Sequence, residues 1–224
     1  MSTAITHKKL TYRNQSEAFT QKCKELEHFE TPLWAVEAIL DVETMPHFVI
    51  DPCCGGGVLS EAVKRRGSHV TSIDINDWGY HGVIVQDFLE SNIAIPSWAI
   101  NSKAPLGFIM NPPFTKAVEF IEKAFELGAT KILCFCPISF WSSGDRKEFW
   151  DLGLISRIWA CAERATCWRY DLPFDEKGTR YNPNRDLKAM GETPTMHAWF
   201  VFERGQGTTN PPIHRLYKNK GGGS

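Results

Sequence analysis

The motif Asn111-Pro112-Pro113-Phe114, which directly follows an apolar run, carries the clearest chemical signal in this chain of 224 residues. Two prolines remove two backbone donors, which leaves the Asn111 side-chain oxygen and a proline carbonyl as acceptors. Two acceptors can bind both N–H groups of an exocyclic amine, so that the nitrogen lone pair leaves conjugation and faces an electrophile. Phe114 offers a flat face for stacking a base. The motif indicates chemistry at an amino nitrogen, although an ordinary proline-rich turn is the alternative.

A glycine-rich segment, Asp51-Pro52-Cys53-Cys54-Gly55-Gly56-Gly57, also follows an apolar run and precedes a helical pattern. Glycines let the chain turn tightly beneath a ligand, with a helix N-terminus beyond. Asp74 ends the next apolar run about twenty residues later, where a carboxylate can accept hydrogen bonds from ribose hydroxyls. Each feature alone is equally consistent with a plain turn or a solvated strand end. Together they indicate a nucleoside cofactor.

The elements that would position these motifs follow from the hydrophobic pattern. Helices ending in glycine are predicted over 58–67, 117–128 and 146–153, where apolar residues recur at steps of three and four. The predicted strands are continuous apolar runs, which indicates a mostly parallel sheet covered on both faces. They lie at 47–51, 70–75, 82–88, 107–111, 131–138, 157–162 and 197–202. We therefore predict an α/β fold with a doubly wound, mostly parallel, seven-stranded sheet.

The flanking segments set the expected domain boundaries. Residues 1–28 are predicted to form an N-terminal arm, 29–204 one domain and 205–224 a flexible C-terminal tail. Thr31 is expected to be an N-cap and Pro32 a first-turn proline for a helix over 33–40. An irregular insert at about 163–196 interrupts the domain, and a segment of this kind is usually functional or mobile.

Composition limits the classes of function. The formal net charge of -1 argues against binding nucleic acid through bulk charge, although a local basic face would be hidden in that sum. Seven cysteines, an odd number, are expected as thiols, and their spacing gives no set of four zinc ligands, so no metal site is predicted. With no secretory signal and no apolar run near the roughly 20 residues of a membrane span, we expect a cytoplasmic protein and no membrane partner.

Taken together, the motifs resemble the class I S-adenosylmethionine-dependent amino-methyltransferases, in particular those that methylate adenine N6 in DNA. The resemblance spans roughly residues 29 to 203 and follows the motif order of the family's γ subgroup. Asn at the head of the Pro-Pro motif resembles adenine enzymes more than cytosine N4 enzymes. The matching elements, in order, are Phe29-Glu30-Thr31-Pro32, Asp51 to Gly57, Asp74, Asp87-Phe88 and Asn111 to Phe114.

The resemblance implies roles for these residues in binding S-adenosylmethionine. Asp51 would orient the amino group of its methionine part, Asp74 would hold the ribose, and Asp87 would accept from the adenine amine. Phe88 would pack on the adenine ring. The remaining implied contacts, mostly around the methionine part, are Phe29, Thr31, Pro32, Cys53, Gly55, Gly56 and Gly57. Cys53-Cys54 departs from the Phe or Ala with Cys of many relatives, but both residues are small enough for the loop.

The expected mechanism is direct in-line transfer, in which Asn111 and Pro112 polarise the amine and the other residues of the motif, Pro113 and Phe114, complete the catalytic site. An adenine inside a duplex cannot reach such a pocket, so DNA is expected with a flipped base or as a single strand. The irregular insert mixes basic and aromatic residues that suit contact with phosphates and bases. The expected substrate-binding residues are Trp168, Arg169, Phe174, Lys177 and Arg180.

Four alternatives remain. An RNA adenine-N6 methyltransferase, a DNA cytosine-N4 methyltransferase and a protein-glutamine methyltransferase would need the same acceptors, because all three act on an amino or amide nitrogen. The fourth is a non-catalytic subunit of a methyltransferase complex. Because little sequence is left for a separate target-recognition domain, short or relaxed specificity, or a protein partner that supplies specificity, is also expected.

Overall fold

A computed structural model describes residues 29–90, 104–142, 144–165, 167–169 and 196–218. The strands of its main sheet are β2 (Phe48–Asp51), β3 (His69–Asp74), β4 (Ile84–Val85), β5 (Leu106–Met110), β6 (Lys131–Pro137), β7 (Ile155–Cys161), β9 (His197–Glu203) and β10 (Ile213–Leu216). Their order across the sheet is β10-β7-β9-β6-β5-β2-β3-β4, in which β9 runs antiparallel to both of its neighbours and the other pairs are parallel. The α/β fold with a mostly parallel sheet is confirmed.

Helices cover both faces of this sheet, as continuous burial along the strands predicts. Two separate clusters of buried apolar residues result, because neighbouring residues of a strand point to opposite faces. Phe108 belongs to one cluster and Ile109 to the other. The helices are α1 (Leu33–Val42), α2 (Val58–Arg65), α3 (Ala117–Glu126) and α4 (Lys147–Asp151). Gly67, Gly128 and Gly153 follow three of them with positive φ, in agreement with the predicted glycine C-caps.

The sheet has eight strands rather than the predicted seven, and the added strand corrects the expected flexible tail. Strand β10 pairs in parallel with β7 inside the segment expected to be flexible from residue 205. Only Leu216 of β10 is buried, so the sequence of this strand has a weak hydrophobic signal. Backbone hydrogen bonds hold β10 at the edge of the sheet. At the opposite edge, β4 is shorter than the run predicted over 82–88. Gly82 adopts a left-handed φ of 85° just before it.

A second, two-stranded sheet joins β1 (Phe29–Glu30) to β8 (Trp168–Arg169) in antiparallel orientation. Helix α1 begins after Pro32 rather than after Thr31, and no side chain caps it. The predicted N-cap role of Thr31 is therefore wrong, because its hydroxyl accepts a hydrogen bond from Asn111 instead. The expected arm at 1–28 and most of the insert, including Phe174, Lys177 and Arg180, lie outside the described residues.

Candidate functional site

A cleft of about 250 Å³ opens at the carboxyl ends of β2, β3 and β5. Strand β2 lies between β3 and β5 at this point, where the order of the strands along the chain reverses. Ligands of open α/β sheets bind in this position. The glycine-rich segment after β2, Asp74 at the end of β3 and Asn111 after β5 are brought together here. The cleft is therefore the candidate site.

The side-chain amide of Asn111 is fixed by the segment that precedes α1. Its Nδ2 donates to the backbone oxygen of Phe29 (3.0 Å) and to Oγ1 of Thr31 (2.8 Å). Because a backbone carbonyl can only accept, the atom facing Phe29 must be the amide nitrogen. This contact joins residues about 80 positions apart, and it leaves Oδ1 as the acceptor end of the amide.

The Asp74 carboxylate connects the glycine-rich segment to the turn after β3. Its Oδ2 accepts from the backbone N–H of Gly55 (2.9 Å), and its Oδ1 accepts from the N–H of Asn76 (3.0 Å). The indole Nε1 of Trp78 donates to the same Oδ1 at 2.9 Å. Burial raises the pKa of Asp74, and these three donors, together with the backbone N–H of Ile75, oppose that shift. The site thus holds a carboxylate whose orientation is set by its neighbours.

Asp51 lies beneath the cleft and is fully buried. Its Oδ2 accepts from the Ser60 hydroxyl (2.7 Å), which is also 2.8 Å from the Ser72 hydroxyl, while Oδ1 has no hydrogen-bond partner among the described residues. Burial raises the pKa of Asp51 to about 7. Asp51 thus links the glycine-rich segment to α2 and β3, and its implied contact with a methionine amino group stays a prediction.

Gly57 ends the glycine-rich segment in a conformation that only glycine adopts easily, with φ at 83°. A Cβ at this position would lie 2.3 Å from two atoms of the Tyr80 ring. The Tyr80 hydroxyl donates to Glu61 (2.5 Å) and accepts from Lys64 (2.7 Å), and both of these residues belong to α2. The ring of Tyr80 therefore packs directly on the glycine backbone.

Several residues implied by the sequence do line the cleft, and five do not. Phe88, which is buried, forms part of its wall and packs against Phe120 with ring centroids 5.2 Å apart. Asp87 accepts from the backbone N–H of Leu89 (2.9 Å). The lining set among the implied residues is Phe29, Thr31, Cys53, Gly55, Gly56, Asp74, Asp87, Phe88, Asn111 and Pro113. The implied residues outside the lining are Pro32, Asp51, Gly57, Pro112 and Phe114.

Other residues of the cleft wall were not predicted from the sequence, and Trp78 and Lys116 are the most informative of them. Trp78 lies in a polar turn whose spacing gives no signal for contact with Asp74. Lys116, three residues after the second proline of the Asn-Pro-Pro-Phe motif, is an exposed cation that lines the same cleft as Asn111. Its position next to the motif was a usable signal for an anionic ligand.

The described residues limit the other kinds of site. No group of three or more His, Cys, Asp or Glu side chains that could hold a metal ion is found among them. All six cysteines in the described part of the chain are free thiols, and burial raises the pKa of Cys53 and Cys54, which line the cleft. No helix within the described ranges is long and apolar enough to cross a membrane.

Comparison with models of protein families gives no match, and neither does comparison with curated proteins. Among solved structures, a modification subunit assigned to a type I restriction enzyme from Vibrio vulnificus is similar with a TM-score of 0.51 and 14% identity. The match covers 94% of this chain and 54% of the subunit, so the chain spans about half of the subunit's length.

Two further solved structures are similar. A protein from Lactococcus lactis assigned as a hemolysin has a TM-score of 0.50 and 8% identity, covering 83% of this chain and 91% of that one. A protein from Pyrococcus horikoshii assigned as an RNA methyltransferase has a TM-score of 0.45 and 18% identity, covering 86% and 87%. At 14% identity the similarity to the modification subunit establishes the fold alone, which is Rossmann-like α/β.

Proposed function

We propose that this chain is an S-adenosylmethionine-dependent methyltransferase that acts on the exocyclic N6 amine of adenine in DNA. The cleft fits a nucleoside cofactor because Asp74 offers a carboxylate to a ribose, Phe88 and Phe120 form an apolar wall, and Gly55 and Gly56 line the cleft with bare backbone. When bound, S-adenosylmethionine supplies an electrophilic methyl group. The implied cofactor-binding roles of the residues around it are part of this proposal.

The orientation of the Asn111 amide is the observation that carries the proposal. Both hydrogen bonds of its nitrogen go to the segment before α1, so that its oxygen is the end available to an amine. The second proposed acceptor is the carbonyl of Pro112, which lies outside the cleft lining but between Asn111 and Pro113, two residues that line the cleft. An amine that donates to two acceptors holds its lone pair away from the ring, and Asn111 fixes this geometry before the reaction.

No strong base is needed in this mechanism. The nitrogen becomes acidic once it is methylated, and its proton leaves afterwards. Asp51, the carboxyl whose pKa burial raises to about 7, does not line the cleft. We therefore assign proton removal to solvent after the transfer, and the role of Asn111 and Pro112 to polarisation and positioning of the amine.

The DNA substrate is supported by the motif order and by the position of the insert. The pairing of β1 with β8 brings the backbone of Trp168–Arg169 next to Phe29–Glu30, which line the cleft. We propose that the insert beginning there contacts a flipped base or a single strand, and that Trp168, Arg169, Phe174, Lys177 and Arg180 contribute. The similar modification subunit belongs to a restriction enzyme, which agrees with DNA as the substrate.

The test is incubation of purified protein with methyl-labelled S-adenosylmethionine and, separately, with duplex DNA, single-stranded DNA and RNA. Nucleoside mass spectrometry distinguishes N6-methyladenine from N4-methylcytosine. We expect N6-methyladenine in DNA, with a rate lowered on the order of 10²–10³-fold in Asn111→Ala, as for other preorganised polar groups. Asn210→Ala, which removes an exposed asparagine far from the cleft, is the matched control and should keep the full rate.

Other products would select among the alternatives. N4-methylcytosine or methylated RNA would keep the chemistry and change the substrate. Cofactor binding without any product on nucleic acid would favour a protein-glutamine substrate or a subunit that requires a partner. Product formation that is equal in Asn111→Ala and in the native chain would contradict the proposed role of Asn111.

A further inference from the structure

The charges along the cleft wall are mostly negative. Three carboxyl groups line the cleft, those of Glu30, Asp74 and Asp87. Among the described residues of the lining, Lys116 is the only one with a basic side chain. The proposed cofactor carries a sulfonium group, an ammonium group and a single carboxylate, so its net charge is positive and an acidic wall suits it. The positive charge of Lys116 therefore needs a different explanation.

Lys116 has no carboxylate partner within the described part of the chain. Other described lysines do form ion pairs with a nearby Glu or Asp, namely Lys64, Lys123, Lys131 and Lys147. Lys116 is exposed, and it forms no ion pair with any residue that the structure describes. Its charge is thus available to an anion that enters the cleft from solution.

The turn after the Asn-Pro-Pro-Phe motif places Lys116 at the mouth of the cleft. In the 3₁₀ turn Phe114–Lys116, the Lys116 N–H donates to the Pro113 oxygen at 2.9 Å. Because β5 and β6 are parallel, the connecting helix α3 runs back from the carboxyl end of β5. Phe120, about one turn further along α3, is buried against Phe88. Lys116 therefore lies one turn nearer the mouth than this apolar wall.

We propose that Lys116 binds a phosphate of the substrate strand, next to the nucleotide whose base enters the cleft. This inference rests on the proposed function, which supplies the strand. A flipped base stays joined through its sugar to phosphates that remain outside the pocket. A base whose amine is held at Asn111 brings these phosphates to the mouth, where lysine binds phosphate as a point charge. The contact favours a nucleic acid over a protein glutamine, which carries no phosphate there.

The test measures binding of a labelled single-stranded oligonucleotide with one adenine among thymines, by fluorescence anisotropy with saturating S-adenosylhomocysteine at several salt concentrations. We expect Lys116→Gln to bind it roughly tenfold more weakly than the native chain, the effect of losing one charged contact. The slope of log affinity against log salt should become shallower by about 0.7, the value for one phosphate of a single strand. Lys116→Arg should keep most of the affinity because it keeps the charge.

A neutral backbone linkage identifies the phosphate. Methylphosphonates replace the two phosphates that flank the adenine, one at a time. One of the two replacements should weaken binding by the native chain roughly tenfold. The same replacement should weaken binding by Lys116→Gln less than about twofold, since both changes remove the same contact. Equal effects of both replacements on the native chain and on Lys116→Gln would contradict the contact.

Arg204→Gln is the matched control, because it removes one exposed positive charge just after β9, at the end of the sheet opposite the cleft. It should keep the native affinity and salt slope. Equal affinities of Lys116→Gln and Arg204→Gln for the oligonucleotide overturn the inference and leave the proposed function intact. A loss of affinity confined to S-adenosylhomocysteine, measured without DNA, also overturns it. If the native chain binds S-adenosylhomocysteine but no oligonucleotide, the proposed DNA substrate fails, and the inference falls with it.

Discussion

The amide of Asn111 shows how one residue of the motif depends on a distant residue. Thr31 is buried, and its hydroxyl is one of two acceptors that orient the Asn111 nitrogen. Removing this acceptor leaves an N–H group of the partly buried Asn111 without this partner, which costs up to about 1–3 kcal/mol. Rotation of the amide then becomes easier, and the orientation of Oδ1 toward a substrate amine is lost.

We therefore predict that Thr31→Val, which keeps the shape of the side chain, lowers kcat for methyl transfer by about tenfold. Thr31→Ser should recover most of the rate because it restores the acceptor. The measurement is the initial rate with saturating cofactor and DNA. Thr209→Val, at an exposed position away from the cleft, is the control and should keep the native rate. A Thr31→Val rate equal to that of the control would contradict the assigned role of Thr31.

The conformation of the loop between β2 and α2 depends on Gly57. We predict that Gly57→Ala destabilises the chain more than Gly67→Ala. Both glycines have positive φ, 83° and 91°, but a Cβ at Gly67 meets no atom within 4 Å. Gly67→Ala should cost about 1–2 kcal/mol for the backbone conformation alone, and Gly57→Ala about 1–3 kcal/mol more because it displaces the Tyr80 ring. Urea unfolding measures both.

A double substitution separates the two contributions at Gly57. Tyr80→Ser removes the ring, so that adding Gly57→Ala to it should cost about as much as Gly67→Ala does in the native chain. Equal losses for Gly57→Ala and Gly67→Ala in the native chain would show that the ring is not held against the glycine.

Some strands could be predicted from the sequence and others could not. Strands such as β5 and β6 are buried on both faces, and continuous burial leaves an apolar run in the sequence. Strand β10 leaves almost no such signal, because its hydrogen bonds are formed by backbone and only Leu216 is buried. The pairing of β1 with β8 could not be predicted from the sequence either, because each strand contributes only two residues.

Part of the candidate site could be predicted from the sequence because its residues lie at the ends of the predicted strands. The glycine-rich segment and Asn111 follow strands and Asp74 ends one, and the carboxyl ends of neighbouring parallel strands meet at one edge. The contacts of Asn111 with Thr31 and of Asp74 with Trp78 were not predictable, because they depend on how loops of different strands pack. Such contacts have no periodicity or spacing in the sequence.

A buried ionic network joins elements that are far apart in the chain. Glu43, which follows α1 and is 3% exposed, accepts from Arg157 at both oxygens (2.6 Å each) and from Lys131 (2.7 Å). The Trp159 indole donates to it as well, and Arg157 also contacts Glu203 at 2.8 Å. The network ties α1 to β6, β7 and β9 at the end of the sheet opposite the cleft.

Glu43 should make stability depend on pH in a defined window. Burial raises its pKa, but the bonds from Arg157, Lys131 and Trp159 outweigh burial and lower the pKa from 4.5 to about 2. A carboxyl with a lowered folded-state pKa stabilises the fold above its unfolded value and loses this contribution as the pH falls toward the folded value. The stabilisation is therefore complete above about pH 5 and declines toward pH 2.

We predict that Glu43→Gln lowers the free energy of unfolding at pH 7 by about 3 kcal/mol, because it leaves Arg157 and Lys131 without their shared carboxylate. The Tm should fall by about 10 °C. Urea unfolding from pH 7 to pH 3 should show this difference from the native chain constant down to about pH 5 and shrinking below it. The control Glu126→Gln removes an exposed carboxylate that is 3.7 Å from Lys123 and should change stability by less than about 0.5 kcal/mol. If the two variants lose equally little, or if the Glu43→Gln difference stays constant down to pH 3, the network does not depend on the Glu43 charge.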